Sequence, residues 1–283
     1  GVAYQYDYDI LNNVVGVAFG KQRIHYEYKG EAREIVRHLP NGVTTTYSFS
    51  PLGELFGIRH QGANRAEIQS FRYEYYPDGR LKRAEESSPG GTIFKDFEYD
   101  LLGRLKKFKS SAGESETYDY DAMGNRIALV DARGRTAYEY DEFGRLAAQG
   151  PIRIAYDLVG NVVSRIDGTD STTYTFDLTN RLTEVRKGDK VVSFAYDGEG
   201  NRIRKAGGAV TSYLYERLGG LPQVLAEFDA GGKLKSRHVL TPARIAQTDS
   251  AGRAIYLLED HLGSTRSVVD EAGRVIARYD YSP

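Results

Sequence analysis
The stretch Tyr138-Glu139-Tyr140-Asp141-Glu142-Phe143-Gly144-Arg145-Leu146 is one copy of a phrase that runs through the chain: an aromatic pair, an aspartate, two variable residues, then glycine followed by Arg or Asn. Upstream it reads Phe97-Glu98-Tyr99-Asp100-Leu101-Leu102-Gly103-Arg104-Leu105 and Tyr118-Asp119-Tyr120-Asp121-Ala122-Met123-Gly124-Asn125. Downstream it reads Tyr156-Asp157-Leu158-Val159-Gly160-Asn161 and Tyr196-Asp197-Gly198-Glu199-Gly200-Asn201. On a strand, residues two apart share a side, so the aromatics of each copy point one way. The aspartate can accept a hydrogen bond from the backbone N–H two residues on, and the glycine closes a type I turn or the bulge after it. Alternation resumes beyond the turn, as in Leu182-Thr183-Glu184-Val185, so each copy predicts two short strands and a tight connection.

Aligned on the glycine position, the copies fall at Gly53, Gly79, Gly103, Gly124, Gly144, Gly160, Asn180 and Gly200, with steps of 26, 24, 21, 20, 16, 20 and 20 residues. Asn is the residue other than glycine that best tolerates positive φ, so Asn180 points to a left-handed backbone at this position. A fixed period means that no unit buries its apolar face alone; the core comes from stacking on neighbours, and function belongs to the assembled surface. The expected fold is all-β, an array of antiparallel hairpins in a spiralling sheet that makes a partial shell. Tyr99, Tyr120, Tyr140, Tyr156, Phe176 and Tyr196 are expected on one common face. About two dozen strands at ~4.8 Å each give a ribbon ~115 Å long, which strand twist coils into about one turn of a wide spiral. The earlier units are looser. Tyr8-Asp9-Ile10-Leu11-Asn12-Asn13 has Asn for Gly, and Tyr47-Ser48-Phe49-Ser50-Pro51-Leu52-Gly53 and Tyr75-Tyr76-Pro77-Asp78-Gly79 carry Pro in the loop, where its fixed φ suits a turn. A short turn of helix is expected at Glu31 to Leu39, and no helix of normal length elsewhere.

Composition narrows the function classes. Lys plus Arg, 38, nearly balances Asp plus Glu, 39, so no nucleic-acid partner is implied. Cysteine is absent, which removes disulfides, thiolate metal sites and thiol catalysis. Tyr, at 22, is twice as frequent as Phe, at 11, a composition of strands and turns. No run of eighteen apolar residues predicts a membrane span, and no signal sequence opens the chain. The start Gly1-Val2-Ala3, in mid-pattern, reads as a piece of a longer polypeptide.

The repeated phrase resembles the tyrosine-aspartate repeat of the Rhs family, which includes bacterial Rhs toxins, shell-forming subunits of insecticidal toxin complexes, and teneurins. The tail is similar to the opening of the family's repeat-associated core segment: Tyr256-Leu257-Leu258-Glu259-Asp260-His261-Leu262-Gly263-Ser264-Thr265-Arg266-Ser267-Val268-Val269-Asp270, then Glu271-Ala272-Gly273-Arg274-Val275 and Tyr279-Asp280-Tyr281-Ser282-Pro283. Residues 1–245 are therefore expected to be repeats and 246–283 the start of the core segment. The resemblance implies a hollow β-shell that encloses a polymorphic C-terminal toxin, in a secreted, cell-surface or injected protein. Its implied partners are flanking repeats, the toxin cargo and a delivery-system protein. The family's aspartate-dependent self-cleavage pattern, Asp-Pro-x-Gly-Leu, does not occur in this sequence, so protease activity is not carried over.

The residues themselves suggest no catalysis, cofactor or metal. Asp260-His261 is the only carboxylate–histidine neighbour pair; placed on a strand, the two point to opposite faces and form no dyad. Asp7 with Asp9, and Asp119 with Asp121, lack the spacing of a calcium loop, and turn capping accounts for the second of each pair. Gly207-Gly208, Gly219-Gly220 and Gly231-Gly232 suit hairpin turns better than phosphate cradles. Arg80, Arg104, Arg145 and Arg181 recur after the turn, where pairing with turn carboxylates or covering aromatic rings explains them. Two function classes remain: an encapsulating toxin shell, and a teneurin-type adhesion or glycan-binding array in which Tyr faces stack on sugars. As a single turn of spiral with open strand edges, the chain is expected to associate edge to edge.

Overall fold
The computed structural model describes residues 4–216, 221–240 and 244–282. Those residues hold twenty-seven β-strands, Tyr4–Tyr8 through Val275–Arg278, and no helix. Each register is antiparallel and joins strands adjacent in the chain, as in Ser115–Tyr120 with Arg126–Asp131, and Asp170–Phe176 with Leu182–Lys187. The expected helical turn at Glu31 to Leu39 is not there: Glu34–His38 is a strand paired with Gln22–Lys29 and with Thr44–Phe49. The run Ile35-Val36 is β-branched, and two flanking ladders outweigh its weak helical pattern.

The pairing slips at the same place in copy after copy. Register shifts fall between Asp119 and Tyr120, Glu139 and Tyr140, Ala155 and Tyr156, Thr175 and Phe176, and Ala195 and Tyr196. This is the bulge that follows the turn glycine. All eight turn positions have positive φ: Gly53 83°, Gly79 84°, Gly103 81°, Gly124 94°, Gly144 75°, Gly160 96°, Asn180 61° and Gly200 88°. A Cβ added at Gly144 would meet no atom within 4 Å, so a side chain there is opposed only by the backbone. Gly144→Val is thus expected to cost ~1–3 kcal/mol of strain, while Glu142→Val, two residues earlier in the same loop, costs little. Paired thermal melts check this, and equal melting temperatures would remove the left-handed turn from the account.

The chain forms two compact units. One comprises residues 1–99, 108–114 and 238–283; the other comprises 100–107 and 115–237. In the first, C-terminal strands lie on N-terminal ones, and Val17, Ile24, Val43, Val239, Ile245, Ala246, Tyr256, Leu258 and Val269 make one core. In the second, the described buried hydrophobics are only Tyr118, Ala128, Tyr138, Ala148 and Ala226; nearly all the other described residues are half-buried or exposed, as in a single sheet layer. The two variable turn positions carry large apolar residues in the open, with Leu101, Leu158 and Leu178 at 105%, 104% and 104% exposure. These residues lend nothing to the core. Leu158→Ser should therefore shift unfolding free energy by less than about 0.5 kcal/mol; a loss above ~1 kcal/mol in urea titration would mean that the turn tips are packed.

Candidate functional site
The recurring residues are consumed by the array itself. At Asp121 the backbone N–H donates to Asn125 O (2.9 Å) and the carbonyl accepts from Gly124 N (3.2 Å). Its Oδ1 accepts from the N–H groups of Met123 and Asn125 (2.9 and 2.8 Å), and Oδ2 from Asn125 Nδ2 (2.9 Å). At Asp141 the same bonds come from Phe143 and Arg145, with Arg145 Nε at 2.7 Å. Hydrogen bonds from Asn125 hold the Asp121 carboxyl below its ordinary pKa, as expected where donors favour the ionised form. Arg or Asn after the glycine is therefore a turn lock.

The aromatics tie one hairpin to the previous one. Tyr120, Tyr140, Tyr156 and Tyr196 donate their hydroxyls to the carbonyls of Leu105, Arg126, Leu146 and Leu182 at 2.7–3.0 Å. Arginines reach the other way: Arg104, Arg145 and Arg181 donate to the carbonyls of Asp121, Asp157 and Asp197. Their guanidinium carbons lie over the rings of Tyr120, Tyr156 and Tyr196 at 4.6, 4.6 and 5.2 Å, and that of Arg80 over Tyr99 at 4.8 Å. Phe176 is half-buried in the corresponding place. With hydroxyl and face both engaged, Tyr120, Tyr156 and Tyr196 are ladder rungs. Asp119, considered above for calcium, pairs with Lys106 (2.8 Å) and Arg135 (3.4 Å), and Asp7 pairs with Arg23. No cluster of three potential metal ligands occurs among the described residues.

The same turn recurs where the aromatic pair is lost. Asp229, Asp249, Asp260 and Asp270 each accept backbone N–H groups two and four residues on. Gly232, Gly252, Gly263 and Gly273 close them at φ 77°, 83°, 77° and 74°. The Asp-x-x-Gly spacing alone would have revealed them. Asp260-His261 is thus not on a strand as expected: Asp260 caps a turn, and His261 packs on Tyr73 with ring centroids 4.3 Å apart. Of the double glycines, Gly219-Gly220 lies outside the described residues.

Two buried ionic networks sit within the first unit. Arg37, 2% exposed, makes a bidentate pair with Glu259 at 2.6 and 3.0 Å and donates to Thr45 Oγ1 at 3.2 Å. Tyr47 also donates to Glu259. His60 is wholly buried, with Nδ1 2.9 Å from Thr45 Oγ1 and Nε2 3.0 Å from the Glu259 carbonyl. A carbonyl only accepts, so Nε2 carries the proton and Nδ1 accepts from Thr45. Burial pushes the His60 pKa down to about 4. Burial alone would raise the Glu259 carboxyl, but the Arg37 charge and hydrogen bond outweigh it and hold the group ionised.

The second network centres on Arg266. It pairs with Glu86 (2.7 and 3.0 Å), Asp280 (3.1 Å) and Asp260 (3.4 Å), and Nε donates to Tyr279 O (3.0 Å). Lys95 adds a 2.9 Å contact to Glu86. Neither arrangement contains an activated nucleophile; both fasten the C-terminal strands to the repeats.

Antiparallel hairpins joined by Asp-x-x-Gly turns and laced by Tyr and Arg define a hairpin-repeat wall. The chain belongs to the teneurin YD-shell family, whose profile matches residues 63–283, and so to the wider Rhs and YD-repeat group. The double-stranded DNA deaminase toxin A of Burkholderia cenocepacia is 28% identical over 98% of this chain, and 19% of its own length is covered. The tRNA3(Ser)-specific nuclease WapA of Bacillus spizizenii is 27% identical over 65% of this chain and 8% of its own. This chain thus spans less than a fifth of either relative. Among solved structures, chains in TcdB2-TccC3-Cdc42 and in the Photorhabdus luminescens Tc holotoxin pore each match 100% of this chain, covering 17% and 16% of their own lengths. Each has a TM-score of 0.77 at 16% identity, a likeness of fold.

Proposed function
We propose that this chain is a wall segment of an encapsulating shell that sequesters the C-terminal toxin domain of a secreted or injected Rhs-type protein. The observation that carries the reading is that the recurring Tyr, Asp, Arg and Asn groups bond to their own turn or the neighbouring hairpin, leaving a repeat built to make sheet. Two relatives with toxin or nuclease names fit a cargo carried elsewhere in a longer polypeptide. Residues 1–245 then act as wall, and 246–283 as the start of a closing segment. The mechanism is passive: the wall isolates its cargo, and release follows opening. Flanking repeats, the cargo and a delivery protein are the partners this role requires.

The test is a fusion of the chain, with repeats of a relative added, to a reporter domain, followed by limited proteolysis. Protection of the reporter that disappears when the repeats are removed is the expected result. Equal cleavage in both would refute enclosure. The teneurin-type adhesion or glycan-binding reading predicts instead that immobilised chain retains glycans with no effect on a fused reporter.

A further inference from the structure
We propose that one rim of the second unit is a self-association surface, on which the same rim of a second copy of this chain docks antiparallel. In an antiparallel meander every second loop falls at the same end of the strands, and from residue 100 to 181 those loops are the repeated turns. They abut one another: Arg104 donates to Asp121 O at 3.2 Å, Arg145 to Asp157 O at 3.4 Å, and Asn161 Nδ2 to Asn180 Oδ1 at 3.1 Å. Each presents an apolar side chain to solvent, namely Leu101, Met123, Phe143, Leu158 and Leu178, 72–105% exposed, and Leu102 and Val159 stand beside two of them. The loops at the opposite rim, Ala132-Arg133, Gly150-Pro151, Gly168-Thr169 and Gly188-Asp189, carry no large apolar residue.

The turn is built by its Asp, its left-handed residue and the Arg or Asn that follows, and the core does not reach the tips, so nothing within the unit calls for Leu or Phe there. Exposed apolar surface beyond a few hundred Å² marks an interaction site. Three observations select a second copy. At roughly 100 Å² of apolar surface each, seven tips offer about 700 Å², close to the ~800 Å² per partner of a standard protein interface. The loops recur every second strand, at ~9.6 Å. A row turned end for end and offset by ~4.8 Å therefore sets each tip between two of the other, and the contact closes at two copies. Third, the five loops hold six carboxylates against three arginines, which disfavours an anionic membrane surface or a nucleic acid. Those carboxylates do not bar a second copy: the side chains of Asp100, Asp141 and Asp177 are only 20%, 24% and 25% exposed, drawn into their own turns by Arg104, Arg145 and Arg181. The contact uses loop tips rather than the free backbone of an end strand, and it stands whether or not the chain encloses cargo.

Sedimentation velocity of the chain over about 1–200 μM is expected to show a monomer–dimer equilibrium that tightens as salt is raised, because salt screens the carboxylates and favours apolar burial. Leu101→Ser combined with Phe143→Ser and Leu158→Ser should weaken dimerisation at least about tenfold, with the melting curve of the wild type retained. The chain has no cysteine, so single thiols can report the register. Phe143→Cys, in the middle loop of the row and so nearest the two-fold axis, should give a disulfide-linked dimer on oxidation with diamide, and Asp189→Cys, on the opposite rim, should not. A monomer throughout the range, equal association by the triple-serine variant, a dimer that loosens with salt, or cross-linking of Asp189→Cys as readily as Phe143→Cys would each overturn the proposal. Retention on phosphatidylcholine vesicles without self-association would overturn it too, in favour of a lipid surface.

Discussion

Glu259→Ala is expected to lower the unfolding free energy by about 3–5 kcal/mol, because it leaves the Arg37 guanidinium buried without its counter-charge. Arg37, on the strand Glu34–His38, is 2% exposed, and the side chain of Glu259 15%. The same substitution strips Tyr47 of its acceptor. Against a total of ~5–15 kcal/mol for a typical domain, this is a large share. Arg37→Met combined with Glu259→Leu should recover most of the loss, since a buried ion pair replaced by apolar groups of similar size is often neutral. Urea titrations of the single and double variants check both statements. A single-variant loss under ~1 kcal/mol would show that solvent reaches the pair.

Acidification from pH 7 to pH 4 should remove about 3 kcal/mol of stability through His60. Its folded pKa, pushed down to about 4 by burial, lies below the ~6.5 of an unfolded histidine. Above pH 6.5 the ring is neutral in both states and the contribution is complete. Between 6.5 and 4 the unfolded chain takes up the proton and the folded chain does not, so stability falls as pH falls. Burial also lowers the His261 pKa, which adds a loss of the same sign. The turn carboxylates, held low by their donors, act in a separate window, below the ordinary carboxylate pKa. His60→Gln should flatten the pH 4–7 profile relative to wild type; parallel profiles would remove His60 from the explanation.

The turns were legible because everything they need lies within five residues. Asp141, Gly144 and Arg145 bond one another at separations of three and four, so spacing states the geometry. The Tyr and Arg ladder was partly legible: the i, i+2 aromatics showed a shared side, but the acceptor of Tyr156, Leu146 O, depends on how one hairpin lies against the last. Gly231-Gly232 was legible as a hairpin turn, but the capping role of Asp229 was not, and the turns at Gly252 and Gly273 lack the aromatic pair that marks the repeated phrase. Glu31 to Leu39 was misread because a short window cannot show the two ladders that make it a strand.

By itself, the sequence determined that this protein is an all-β array of hairpins with left-handed turns at a fixed phrase, since backbone sterics and neighbouring donors act locally. Only the tertiary structure decided that the C-terminal strands pack on the N-terminal ones, that Arg37 meets Glu259 across 222 residues, and that Arg266 meets Glu86 across 180. An Arg or Glu that faces water and one that pairs in the core are the same letters in the same alternation. What distinguishes them is burial, and burial comes from distant parts of the chain.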